Sequence, residues 1–154
     1  MGLNERVKNE INNIKNNISL FCNECDANAS CGGNHVYVIE LMPEASSHFS
    51  SKTENEFVYV GETGKHIAER LEDNFKTKIN KNGDLVFIRK GKNVNKIRKF
   101  FYRMRPDLIP KGLNPLPDRE TAEFEEAKLA DSLREKGYRV GGPSLKKIKN
   151  KIIL

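Results

Sequence analysis

His35-Val36-Tyr37-Val38-Ile39 and Phe57-Val58-Tyr59-Val60-Gly61 are the two stretches on which the fold turns. Each is a short run of β-branched and aromatic residues with a tyrosine at its centre, a composition that suits a strand better than a helix. Gly32-Gly33-Asn34 makes the turn into the first strand, Val36 to Leu41. Pro43 to Asn55 is rich in serine and polar residues and reads as a loop, so a hairpin is the economical way to join this strand to Phe57–Glu62. The second strand runs at once into a stretch, starting at Thr63 or Gly64, whose Ile67, Leu71 and Phe75 recur every fourth residue. That spacing predicts a helix with one apolar stripe, and it carries Arg70.

Outward from this centre the remaining elements follow. Asn82-Gly83-Asp84 turns the chain into a third strand, Leu85 to Arg89, and Val94 to Met104 reads as a basic helix stopped before Pro106. Four prolines make Pro106–Asp118 an extended connector. A strong helix over Arg119–Lys136 has Asp118 as N-cap and Gly137 as stop, and Tyr138-Arg139-Val140 reads as a short closing strand. At the other end Leu3, Val7, Ile11, Ile14, Ile18 and Phe21 form the stripe of an N-terminal helix that docks on the domain or pairs with a partner subunit. The result is an α+β protein, a small, mostly antiparallel sheet with helices on its faces. It divides into an N-terminal helix and Cys-rich loop (1–34), a central domain (35–142) and a basic-then-apolar tail (143–154).

The 154 residues suffice for one domain with its own core, and 37% hydrophobic against 31% charged residues describes an ordinary globular chain. No apolar run approaches the ~20 residues needed to cross a bilayer, so no membrane partner is expected. Met1 to Glu10 lacks a secretory pattern, which makes a cytoplasmic address the default. From Lys76 to Arg105 there are eleven Lys or Arg against the single acid Asp84, a local balance of +10 in a chain whose total is +6. Segregation of this kind fits a surface facing a polyanion or, more simply, a solvated helix face. The interleaved Phe87, Phe100, Phe101 and Tyr102 favour nucleic acid. The candidate phosphate-binding residues are Lys76, Lys78, Arg89, Lys90, Lys92, Lys96, Arg98 and Lys99.

Two further groups carry chemistry. Cys22, Cys25 and Cys31 fall within ten residues, with His35 four positions on. Three thiolates and an imidazole complete a tetrahedral Cys3His zinc site, with Gly32-Gly33 allowing the sharp turn, or else they are free thiols in a loop. The second group centres on Glu126. Wound at about 100° per residue, the Arg119–Lys136 helix places Glu126 in the middle of the stripe formed by Ala122, Leu129, Ala130 and Leu133. A carboxylate turned toward a core needs an arginine such as Arg70, a metal, or a water-lined cleft, and Glu123 at the stripe's edge is its rival.

Taken in order, Tyr37, Tyr59-Val60-Gly61, Arg70 and Glu126 resemble the signature of the GIY-YIG nucleases, and the likeness runs over about residues 35–142. Gly61-Glu62-Thr63 is similar to the usual continuation of the second half-motif. The run from Ala122 through Leu133 to Gly137-Tyr138 and Gly142 is similar to the third helix and following strand of bacterial members. His35 stands where the family has the glycine of its first half-motif, the loop between the halves is longer, and Asn74 stands where a histidine or tyrosine relay is usual, with His66 and Lys76 as substitutes. The resemblance implies a three-stranded antiparallel sheet flanked by helices, and metal-dependent hydrolysis of DNA. It implies that Glu126 holds one Mg²⁺ or Mn²⁺, Arg70 braces the phosphate, Tyr37 accepts a proton from the attacking water and Tyr59 positions it. A binding module of the same fold that has lost efficient cleavage, and a zinc-stabilised protein-interaction domain, are the alternatives. Whether one copy acts or two is left open.

Overall fold

The computed structural model describes residues 3–46, 56–146 and 148. Ser47 to Asn55 of the serine-rich loop, and the tail beyond Lys146 apart from Ile148, lie outside the described residues. The first helix, α1 (Leu3–Asn16), buries Val7 and Ile14 and ends in a 3-10 turn, Ile18–Leu20, that delivers the buried Phe21 to the core. It docks on the domain, against the helix and edge strand described below, as one of its two sequence readings had it. The Cys-rich loop then leads into β1 (His35–Leu41), buried along its whole length. A 3-10 turn, Pro43–Ser46, follows, and β2 (Phe57–Thr63) returns antiparallel to β1 over seven residue pairs.

The helix after β2, α2 (Ile67–Asp73), starts later than its apolar spacing predicts. Thr63 stays in β2, paired with His35, and the buried His66 caps the helix by accepting from Ala68 N. A separate two-stranded hairpin comes next, β3 (Thr77–Ile79) and β4 (Leu85–Phe87). The basic helix α3 (Lys92–Phe100) stops at Phe100, and β5 (Phe101–Met104) follows directly. After the connector come α4 (Arg119–Glu135), capped by Asp118, which accepts from Thr121 N, and β6 (Arg139–Gly141).

The main sheet has the order β5-β1-β2-β6. This corrects the expected three-stranded antiparallel sheet in two respects. The antiparallel neighbour of β1 on its far side is β5, while Leu85 to Phe87 sits in the separate hairpin. In addition β6 joins β2 in parallel, which makes the sheet four-stranded and mixed. Parallel pairing is possible because α4 serves as the crossover. The physical reason for the first change lies in Phe101 and Met104, which are buried, and in Arg103 and Arg105, which meet Glu40 on β1 at 3.0 and 2.7 Å. Continuing the helix would leave Glu40 buried without either cation, a cost of several kcal/mol.

Helices lie against both faces of the sheet, so β1 reads as a continuous buried run. Val60 and Ala130 meet beside Gly142, which fixes α4 on the face opposite the two tyrosines. The connector is stapled from inside by Asn114, whose amide oxygen accepts from Val36 N and whose amide nitrogen donates to Phe21 O and Val36 O, each at 2.8 Å. No described helix is long and apolar enough to cross a membrane.

Candidate active site and metal centre

The register of β1 with β2 sets Tyr37 opposite Gly61 and Ile39 opposite Tyr59, so both tyrosines occupy one face of the sheet. Their ring centroids are 6.5 Å apart with planes tilted by 45°. Tyr37 lies across Gly61 so closely that a Cβ there would come within 2.5 Å of both its Cζ and its Oη. Tyr59 covers Gly141 in the same way, with a Cβ placed 3.3 Å from its Cδ2. Each tyrosine thus uses the missing side chain of a glycine on the neighbouring strand. Because β6 pairs with β2 only as far as Tyr59, Gly61 to Thr63 have no strand on their outer side among the described residues.

Arg70 and Glu126 reach this open end from two different helices. The Arg70 guanidinium is within hydrogen-bonding reach of the Tyr37 hydroxyl, and its buried Nε has no partner. Tyr37 also feels the charges of Glu126 and Glu62, and Tyr59 feels Tyr37, Glu126, Arg70 and Glu62. Tyr37 and Tyr59 therefore share one face of the sheet with Arg70 beside Tyr37, while Glu126 lies with Glu62 on the α4 face, near enough for its charge to act on both tyrosines. Burial pushes the Tyr37 hydroxyl above its ordinary value, and Arg70 offsets this only in part. Burial raises Tyr59 as well, with the nearby Tyr37 adding to it. Both are neutral phenols at pH 7, so neither is a ready proton acceptor.

Glu126 is not paired with Arg70. Burial, and then the charges of Glu62 and Glu123, push its carboxyl up to about 8, against the pull of Arg119. Glu62 is also raised, by burial first, while Arg119 draws it back. The exposed Arg119 stands 3.0 Å from Glu123 and 3.7 Å from Glu62. Three carboxylates and one solvent-exposed arginine leave negative charge undercompensated. Such a set of hard oxygen donors suits a divalent cation like Mg²⁺ or Mn²⁺. Glu62 was visible in sequence only as the residue after Gly61; its part in the site depends on where α4 lands.

The second centre is the Cys-rich loop. Cys22 Sγ and Cys31 Sγ are 3.9 Å apart, while His35 Nε2 is 3.3 Å from Cys25 Sγ and 3.5 Å from Cys31 Sγ. All four donor atoms lie within 4.8 Å of one another. A tetrahedral zinc ion, with bonds of about 2.3 Å to sulfur and about 2.0 Å to nitrogen, sets S···S and S···N edges of roughly 3.8 and 3.5 Å. The group can therefore hold a metal ion such as zinc. His35 Nδ1 donates to Lys65 O at 2.9 Å, which leaves Nε2 as the free lone pair aimed at the sulfurs. Burial lowers the His35 pKa, keeping the ring in the neutral form that ligates. Cys31 N and Gly33 N point at Cys25 Sγ and Cys31 Sγ, each at 3.4 Å, and such donors stabilise thiolates. Burial pushes the Cys25 thiol up to about 12, a shift that a bound cation would reverse.

The two centres share a frame. His35 is two residues from Tyr37 on β1, and the Lys65 carbonyl that it holds begins the approach to α2. His66 donates from Nε2 to Asp26 O, inside the Cys-rich loop, while its Nδ1 caps α2. Both of its nitrogens are used, so His66 is no proton relay. Lys76 is committed too, 3.2 Å from Asp73 and 4.0 Å from Glu72. Asn74 is buried, with its amide nitrogen unpartnered.

Of the basic residues expected to meet phosphate, Lys78, Lys90, Lys92 and Lys99 are exposed and Lys96 is half-buried. Arg98 points inward instead: it is buried, donates to Asn74 O and Arg89 O, and lies 4.1 Å from the Phe87 ring centroid. Arg89 is half-buried beside it. No protein-family model, curated protein or solved structure matches the chain.

Proposed function

We propose that the chain is a GIY-YIG-like endonuclease that hydrolyses a DNA phosphodiester by attack of water at the open end of β2. The observation that carries this reading is that Tyr37, Tyr59 and Arg70 on one face of the sheet lie within electrostatic reach of Glu126 on the other. Arg70, with an unpartnered Nε on a planar fork, receives a phosphate oxygen and braces its growing charge. Tyr37 and Tyr59, as neutral phenols, orient the water and the phosphate by hydrogen bonds rather than taking the proton outright. A carboxylate of the Glu62, Glu123 and Glu126 group that the metal leaves free would be a better proton acceptor than either neutral phenol. Glu126, with Glu62 and Glu123 beside it, would hold one Mg²⁺ or Mn²⁺, which when bound neutralises the scissile phosphate and stabilises the leaving oxygen.

Zinc is the metal proposed for Cys22, Cys25, Cys31 and His35. Three sulfurs and a nitrogen fill a tetrahedral shell with no open position, so its role is structural. It would hold the start of β1 and the start of α2 in register, and so the Tyr37–Arg70 contact.

A second reading, a DNA-binding module without efficient cleavage, is favoured by Asn74 in the relay position and by the fully buried Tyr37. One experiment separates the two. Supercoiled and linear DNA are incubated with wild type, Glu126→Gln and Tyr37→Phe in Mg²⁺, Mn²⁺ or EDTA. The nuclease reading expects metal-dependent cutting, slower by about 100-fold or more in Glu126→Gln. If wild type cuts no faster than the variants while still shifting DNA, the binding module stands in its place.

A further inference from the structure

The β3–β4 hairpin has no counterpart in the site just described. It leaves α2 shortly after Arg70 and stands away from the main sheet. The pairing of Thr77 with Phe87 and of Ile79 with Leu85 puts these side chains on one face of the ribbon. That face is open to solvent: Ile79 is 70% exposed, Leu85 72% and Phe87 42%. Such exposure has a cost, since each fully buried side chain of this kind is worth about 1.5–3 kcal/mol. The surrounding charge is all of one sign apart from Asp84 in the turn, with Lys78, Lys81, Lys90 and Lys92 exposed about the ribbon.

The hairpin is also stiff. Asn80 closes the turn, its Oδ1 accepting from both Asn82 N and Asp84 N at 2.9 Å, and Gly83 supplies the positive φ of +82°. At its base Ile88 N donates to Lys76 O. Arg98 clamps both legs, donating to Asn74 O before β3 and Arg89 O after β4, and its guanidinium stacks on Phe87. One ring face of Phe87 is thereby occupied. The most exposed side chains, Ile79 and Leu85, are aliphatic and form a cross-strand pair next to the turn.

We propose that this hairpin is a wedge for double-stranded DNA: Ile79 and Leu85 enter the minor groove between base steps and bend the duplex, while the flanking lysines hold the phosphates. The proposal rests on the DNA reading above and goes beyond it by naming a bent duplex as the substrate. Charge complementarity selects the polyanion. The apolar leading edge selects the mode, because groove readers that leave bases stacked present polar side chains, and platforms for unpaired bases present aromatic ones. Aliphatic side chains on a rigid basic ribbon suit partial unstacking of a duplex.

The test uses the full chain with no added Mg²⁺ or Mn²⁺ and no chelator, so that neither cutting nor loss of zinc interferes, with a duplex of about 30 base pairs carrying donor and acceptor dyes at its ends. Wild type is compared with Ile79→Ser/Leu85→Ser, whose sites are exposed, so an unchanged circular dichroism spectrum is expected. Wild type should bend the duplex by an angle on the order of 20–90°. The double variant should bind within about threefold of wild type, with the same salt dependence, and lose the bend. A wild-type complex with unbent DNA, or a double variant that bends it equally, overturns the wedge and leaves the nuclease reading intact. Absence of any binding by wild type overturns both. A wild-type dimer that the double variant converts to monomer, with bending unchanged, would show the face to be a contact between copies.

Discussion

Glu126 concentrates the chemistry of the site in one ionisable group. Its carboxyl sits at about 8 instead of near 4.5 because burial, Glu62 and Glu123 all oppose its charge. Below pH ~4.5 the folded and unfolded chains both hold the proton, and the group has no effect on stability. Between ~4.5 and ~8 the unfolded chain releases it while the folded chain keeps it, so stability falls as pH rises and levels off above that window. Glu126→Gln should therefore be more stable than wild type at pH 8, by on the order of 1–3 kcal/mol, and equal to it at pH 4. Urea melts at the two pH values check this, and equal stability at pH 8 would remove the case for an undercompensated carboxylate. Millimolar Mg²⁺ should narrow the gap by stabilising wild type. The position of Glu126 was legible because helical winding alone puts it among Ala122, Leu129 and Leu133. Glu62 was not, because strand alternation says which face it takes but not that α4 brings two more glutamates to it.

At the scale of elements, α4 announced itself through Asp118 at its N-cap and its apolar stripe, and the β1–β2 pair through composition. β5 stayed hidden because Val94, Ile97 and Phe101 keep helical spacing through the point where the helix ends; only the pairing of Arg103 and Arg105 with Glu40 distinguishes strand from helix. The parallel pairing of β6 was equally illegible, since no local pattern encodes which edge a short strand joins. The Cys-rich loop is the element whose loss should travel furthest. It grips β1 through His35 and α2 through the Asp26–His66 bond. The purified chain should carry about one zinc by metal analysis, and chelation should speed amide exchange across Ile67–Asp73 by about tenfold or more. A chain that contains no zinc, or whose α2 exchange ignores the chelator, would return the cysteines to ordinary thiols.

Across the whole molecule, charge is divided rather than spread. The Lys76–Arg105 segment holds +10 and the remainder −4, with the carboxylates of the open end on the acidic side. Some of the basic residues are structural, Arg98 and Arg105 most clearly, so less of this charge is free for a partner than the composition implies. Lys90→Gln/Lys92→Gln should weaken DNA binding alike for all sequences and reduce the slope of log K against log salt by about 2, as two lost phosphate contacts require. Titrations at several salt concentrations decide it, and an unchanged slope would place the DNA elsewhere on the surface.

The order β5-β1-β2-β6 has a consequence for how the chain is made. Arg139 must return to lie beside Phe57, and Glu126 rides on the crossover that brings it there. On a ribosome adding roughly 5–20 residues per second, Tyr37, Tyr59 and Arg70 emerge seconds before their carboxylate. On the proposed nuclease reading, a nascent chain lacks Glu123 and Glu126, and with them most of the metal-holding carboxylates, until synthesis has passed α4, so cutting would wait for the rest of the chain.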